Sequence, residues 1–434
     1  MTQRGRHRRR RRGRALRAFL AGTALALTAA ATMISASQAT VGDSPGALKA
    51  LSAADRGQLR LREQSVAPAS LERLASAMGR PVGVGAVLAD ADRSLREAIG
   101  CSAGERKSLP VEPAATRAYC WDAADTRGWQ PGAVTTSGDA DDDGLWGQNR
   151  VILSGWSRRE SATTGQDLAR IAFVDAGDLN HPTYTWALLA VPVDGGRDYR
   201  ALSSRLSGMV WYENKLLVTT TSGDRDALYV YDMNRIQRTT VAADAVGRVH
   251  GGWSAHGYRY VLPAVGSYRL AGGAGAPRLD GISLDRSTAP DSLAANQWVP
   301  AGGDRRALLW RYPFSRDERH SGLLAADPAG GVRASEAYET KATEIGGVLS
   351  YRSDWYVGGA TGTPDAHGTL WQQSTSGARA TRCGSDETHR RCWSPRAQSL
   401  SYWEETGELW SQSGRVLFAL PLASVDRSLG QMIP

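Results

Sequence analysis

The chain has 434 residues and a formal net charge of +8, a length that suits one large domain or two to three ordinary ones with a sizeable core. Residues 1–39 hold nine arginines and no acid, so taking nine from +8 leaves the remainder at −1. The basic character belongs to one terminal stretch, which argues against a nucleic-acid-binding body, because that function needs cations spread over a folded face.

In chain order, the arginine-rich start is followed by AFLAGTALALTAAATMI, Ala18 to Ile34, which carries no charge, and then by SASQA. Cleavage after Ala39 meets the small-x-small rule, so residues 1–39 are predicted to be a signal peptide, with export by the general secretory route to the medium or cell surface. The alternative is an uncleaved anchor, since this run is at the short end of a membrane span. Its basic flank would still leave residue 40 onward outside the cytoplasm. Residues 40–110 are rich in Ala, Arg, Leu and Ser and poor in aromatics, as in LERLASAMGR. Leu71, Leu74, Ala75 and Met78 recur at helical spacing, and the segment is predicted to be a partly helical, partly disordered spacer.

The four cysteines form two close pairs, Cys101 with Cys120 and Cys383 with Cys392. Three connectivities are possible, and local pairing in an oxidising compartment is the expected one. Neither pair has the spacing of a zinc site.

Residues 111–434 are predicted to be one all-β domain. Short apolar runs such as RVILSGW, LARIAFVD, TYTWALLAVPV, KLLVTTT, ALYVYDM, DWYVGG and RVLFALPL are separated by Gly, Asp, Ser and Pro clusters, which is the strand signal. A weak repeat aligns SGMVWYENKLLVTTT from Ser207, GGVLSYRSDWYVGGAT from Gly346 and QSLSYWEETGELWSQS from Gln398, each with a tyrosine (Tyr212, Tyr351, Tyr402) before a polar turn. This succession predicts a β-propeller of five or six four-stranded blades. Sheets with an apolar face cannot stay singly folded in water, and radial stacking covers every face. A sandwich or two barrels are the rival architectures.

The run CSAGERKSLP…ATRAYCWD, then WQPGAVTTSGDA, GWS, IAFVD, GMVWY, YRYVLP, ISLDRSTAPDSLA and ELWSQS resembles a group of secreted, propeller-like proteins of actinomycetes that have no assigned activity. The resemblance covers roughly Cys101 to the C-terminus. It implies export and a propeller and carries over no catalytic residues.

TSGDADDDGLWGQNR, Thr136 to Arg150, has the D-x-D-x-D-G opening of a calcium loop. Asp139, Asp141 and Asp143 would be ligands, Gly144 the turn and Leu145 a carbonyl donor. The twelfth position is Arg150 where a bidentate acid is needed. Calcium is therefore a possible ligand only if a distant loop supplies that acid. The alternative is a solvated acidic turn whose side chains accept from nearby N–H groups.

Other candidates are Glu336, Glu339, Lys341 and Glu344, placed in a central channel for general acid/base work or in a solvated loop. His250 and His256 are expected to make ordinary loop hydrogen bonds. Trp211, Trp355, Trp371, Trp403 and Trp410 are expected in the core. Trp121, Trp129, Trp146, Trp253 and Trp298 lie in looser contexts, where a few exposed on one rim would suit sugar stacking. No nucleophile elbow, phosphate loop or dinucleotide fingerprint is present, and no cofactor is expected. The sequence therefore points to an exported, monomeric, non-catalytic propeller that binds an extracellular protein or glycan through its loop-rich face. The alternative is a secreted hydrolase or lactonase with a metal in the central channel.

Overall fold

The strand Lys215–Thr219, KLLVT, shows how the core is built. Successive side chains of a strand point to opposite faces. Leu216 and Val218 enter one apolar cluster and Leu217 enters another. A strand apolar on both faces needs cover on both, and the fold supplies it repeatedly.

The computed structural model describes residues 44–158, 167–220, 226–272, 276–360, 366–384 and 390–432; the expected signal peptide at 1–39 lies outside them. Residues 46–432 belong to one unit that is mostly β, with a few short helices. Among the described residues no helix is long and apolar enough to cross a membrane. The first meander comprises Gln130–Thr136, Val151–Arg158, Leu168–Asp175 and Thr183–Val193. The second comprises Met209–Tyr212, Lys215–Thr219, Asp226–Asp232 and Tyr260–Leu270. The third is Gly281–Asp285, Ser292–Asn296, Ala307–Pro313 and Glu336–Thr340. The fourth is Ile345–Tyr351, Asp354–Gly359, Thr369–Ser374 and Gly377–Ala380. In the fifth, Ser401–Trp403, Glu408–Ser413 and Val416–Pro421 are completed by Arg117–Cys120 from near the start of the chain. Neighbouring strands within each meander run antiparallel. The first half of Tyr260–Leu270 also pairs in parallel with Thr183–Val193, which joins the first two meanders into one extended sheet.

Five apolar clusters lie between these meanders. One is shared by the first and second, with Ile171, Phe173, Trp211 and Val218. One joins the second and third through Leu217, Val230, Leu293 and Trp310. Another joins the third and fourth through Leu309, Trp355 and Trp371. The fourth and fifth share Leu349, Tyr356, Leu409 and Phe418. The last is formed by the fifth and first, with Trp403, Trp410, Leu417, Trp156 and Trp186. Trp211, Trp355, Trp371, Trp403 and Trp410 are thus core residues, as their strand contexts suggest.

Residues 46–110 are not a free spacer. They follow the outer edges of the meanders, in reverse chain order over the first three. Leu48 N–H donates to the Ser374 carbonyl at 2.9 Å on the fourth, and Lys49–Ala50 pairs with the third. Leu61–Ser65 then pairs with the second, Arg93–Ser94 with the first and Arg96–Glu97 with the fifth. An open strand edge is a row of unpaired backbone groups, and this segment covers it. The helical spacing is real: Pro68–Met78 is a helix, with Leu71, Leu74 and Met78 buried.

Both local disulfides are present, Cys101–Cys120 and Cys383–Cys392. Cys120 ends the strand that completes the fifth meander, so its crosslink fastens that strand to the segment before it. Replacing Cys101 and Cys120 together by serine removes a loop closure across a separation of 19 residues, which should lower unfolding stability by about 3 kcal/mol on the chain-entropy account. Urea unfolding measures this, and an unchanged midpoint would show that the strand is held by its pairing alone.

Candidate functional site

The first strands of the meanders approach each other so closely that side chains do not fit everywhere. A Cβ on Gly208 would lie 2.7 Å from the Ile282 nitrogen, and one on Gly347 would lie 3.0 Å from the Ser399 carbonyl carbon. A side chain at Gly208 would force the backbone apart, and one at Gly347 would be tighter than ordinary contact. Polar groups collect at the two ends of these strands.

At the C-terminal ends sits the aspartate turn, between the first two strands of the first meander. Ser137–Ala140 forms a single helical turn that carries Asp139 into the interior. Its Oδ2 accepts from Thr135 Oγ1 at 2.6 Å and from Ser401 Oγ at 2.9 Å. Thr135 Oγ1 also accepts from the Trp211 N–H at 3.0 Å, and Arg286 donates to the Asp139 carbonyl at 2.9 Å. Groups from the second, third and fifth meanders therefore meet around one carboxyl of the first. Burial pushes the Asp139 carboxyl up to about 6, against the opposing pull of Thr135, Ser401 and Arg286.

The three aspartates of the expected calcium loop are not brought together. Asp139 points inward, whereas Asp141 is exposed and Asp143 accepts from its own Leu145 N–H at 2.8 Å. Asp142, between them, pairs with Arg286. A distant acid does reach the turn: Glu405 of the fifth meander. Arg150 takes both of its oxygens, at 2.9 and 3.0 Å. Among the described residues no group of three acids, histidines or cysteines could hold a metal ion.

At the N-terminal ends of the first strands there is a cavity of about 480 Å³. Segments just before or at the start of four of these strands line it: Arg205 and Ser207, Arg278 and Asp280, Glu344 to Gly346, and Pro395 to Gln398. Trp298 and Ala360 come from the loops that follow the second strands of the third and fourth meanders. Trp298 is 46% exposed. Its backbone N–H donates to Asp280 Oδ2 at 2.8 Å, and Arg278 Nε stands 4.0 Å from Asp280 Oδ1. Burial raises the Asp280 carboxyl above the usual carboxylate range, opposed by the Trp298 N–H and by Arg278 and Arg205.

The remaining sequence candidates scatter. Glu336 pairs with Arg311 at 2.5 Å and Glu339 with Lys49 at 3.3 Å, both on the fourth strand of the third meander, and only Glu344 reaches the cavity. His256 Nδ1 meets the Asp244 carbonyl at 2.8 Å, an ordinary loop contact, and His250 is exposed. Of the five tryptophans in looser contexts, Trp121 and Trp253 are buried. Trp146 packs on Trp211 at 5.1 Å. Trp129 covers the buried Arg170 guanidinium at 3.8 Å. Trp298 is the one of the five that lines the cavity described above. Sequence reasoning missed Arg205, Arg278, Asp280 and Arg396, whose one signal is their place in the turns preceding first strands.

No family model and no curated protein matches the chain. Among solved structures it is similar to the extracellular domain of a putative hybrid two component system, BT4673, from B. thetaiotaomicron, at 10% identity and a TM-score of 0.28. The match covers 76% of this chain and 43% of that one, so the chain spans less than half the length of that relative. A likeness so slight carries no argument.

Asp139 gives a pH dependence whose sign is fixed. Its folded value, about 6, lies above the usual value near ~4. The folded state therefore holds the proton more tightly, and stability falls as pH rises from about 4 to about 6, by on the order of 3 kcal/mol. Asp291, 3.4 Å from Arg286, titrates in both proteins. The difference between wild type and Asp139→Asn isolates the group. Urea midpoints should show this loss in wild type and a flatter profile in the variant, and parallel profiles would refute the assignment.

Proposed function

We propose that the chain is an exported, non-catalytic β-propeller of five blades that binds a glycan in the cavity at the starts of the first strands. The five meanders are read as the blades, because each shares one apolar cluster with the next and the fifth shares one with the first. Export is supported by the two disulfides, which fit an oxidising compartment, together with the arginine-rich and apolar start of the sequence. One observation carries the ligand class. A half-exposed tryptophan stands at a concave opening whose lining combines guanidinium, carboxylate and amide side chains with the apolar Ile345, Ala360, Pro395 and Ala397. A sugar ring offers C–H bonds on its faces for an aromatic ring to pack against and hydroxyls at its rim for charged partners. The cavity volume falls within the usual range of small-ligand sites, about 300–1,000 Å³. A flat protein partner would make little use of such a recess, which favours a glycan over a protein ligand.

Trp298→Ala should leave the fold intact, because half of the ring is already in water and the backbone N–H bond to Asp280 survives. Stability should shift by no more than about 0.5 kcal/mol, as for surface substitutions generally. On a glycan array, wild type should retain a defined set of saccharides that the variant retains at least about tenfold more weakly, the cost of losing an aromatic anchor. Retention of the same set by both proteins, or of none by wild type, would contradict the proposal.

A further inference from the structure

The cations around this cavity say more about the ligand, provided that the cavity is the glycan site. Arg205 comes from the second meander's approach, Arg278 from the third and Arg396 from the fifth, and all three are exposed. They do not reflect a generally basic protein, since the chain beyond residue 39 carries a net charge of −1. Nor are they core cover, since none of them is buried. A cavity of this volume is on the order of 10 Å across, about one Debye length, so charges around its rim act on the same ligand with little screening between them.

Two carboxylates also line the cavity, and they play different parts. Asp280 is engaged by the protein itself, with one oxygen accepting from the Trp298 N–H at 2.8 Å and the other facing Arg278 at 4.0 Å. It anchors the backbone at Trp298 and faces one guanidinium. Glu344 is the other acid of the lining, which also holds Arg205 and Arg396. Guanidinium offers planar paired N–H donors that match a carboxylate or a sulfate in two-point contact, which a sugar hydroxyl cannot reproduce.

We infer that the ligand is an acidic saccharide, with its ring on Trp298 and its carboxylate or sulfate group held by the arginines that converge there from three meanders. Uronic acids and sulfated sugars share this chemistry, and the probes separate them.

The test is calorimetric titration of the full chain with trigalacturonate, with its methyl ester and with a heparin-derived tetrasaccharide, at low and high salt. One anionic probe should bind at least about tenfold tighter than the uncharged ester, and the advantage should shrink as salt rises. Tighter binding of trigalacturonate identifies a carboxylate, and tighter binding of the tetrasaccharide a sulfate; either supports the inference. Arg205→Gln and Arg396→Gln, checked for an unchanged fold by circular dichroism, should each weaken binding of the favoured anionic probe by a larger factor than that of the ester, and equal weakening of both would overturn the acidic assignment. Equal binding of ester and acid, or array hits confined to neutral saccharides that Trp298→Ala abolishes, would overturn the acidic assignment while the glycan site stood. No binding of any saccharide by wild type would overturn the glycan site itself.

Discussion

The constraint on which everything else rests is that most strands of this protein are apolar on both faces. Leu216 and Val218 face one cluster and Leu217 the next; Leu293 and Ala295 face one and Ala294 another. In the fifth meander Leu409 and Phe418 look one way, Trp410 and Leu417 the other. A meander of this kind cannot be the end of a stack, because an end exposes a full apolar face to water. The fifth meander shares an apolar cluster with the first, and the pairing of Arg117–Cys120 with Val416–Pro421 brings the early part of the chain to its last strands. The aromatic residues concentrate at that junction. Trp121, Trp156, Tyr184 and Trp186 pack edge to face and at tilts with centroids 4.9–6.2 Å apart, where large rings bury much area for few side chains.

The polar groups follow from the same geometry. Where the first strands crowd together, glycine replaces side chains, and what remains gathers at the strand ends. At one end Asp139 ties the first meander to the fifth through its carboxyl, to the second through Thr135, and to the third through its backbone carbonyl, which accepts from Arg286. Burial makes that carboxyl costly to ionise, and its hydroxyl partners offset part of the cost. At the other end the strands diverge enough to leave a cavity, and the turns that line it carry charge and one exposed indole. One end is closed by its own hydrogen bonds and the other holds the cavity.

Much of the fold can be read in the sequence because the strands are short, apolar and bounded by turn formers. The repeat around Tyr212, Tyr351 and Tyr402 marks the first strands of the second, fourth and fifth meanders. The third meander escapes it because long connections, Gln297–Arg306 and Ser315–Ser335, break the spacing. The hairpin Val246–Val249 with Gly252–Ala255 interrupts the second in the same way. The edge strands in residues 46–110 are illegible for another reason: most are only two residues long, below any periodicity, and exist because a neighbouring edge needs a partner. The aspartate turn misleads because a metal pattern is local and its partners are not. Ser401, which turns Asp139 inward, is 262 residues away, and Glu405 is claimed by Arg150. The cavity is spread over six parts of the chain, and no segment of it stands out alone.

The account depends most on the completion of the fifth meander by Arg117–Cys120. The backbone N–H groups just outside that strand, Thr116 and Trp121, donate to the Ala419 and Arg415 carbonyls at 2.9 and 3.0 Å. Native-state hydrogen exchange reads this directly, since amides in a cooperative core open only with the whole. If the chain closes as described, the amides from Thr116 to Trp121 exchange as slowly as those of the central strand Leu168–Asp175. Exchange as fast as in the exposed turn at 141–143 would mean that the last meander ends in an open edge and that the five meanders do not close.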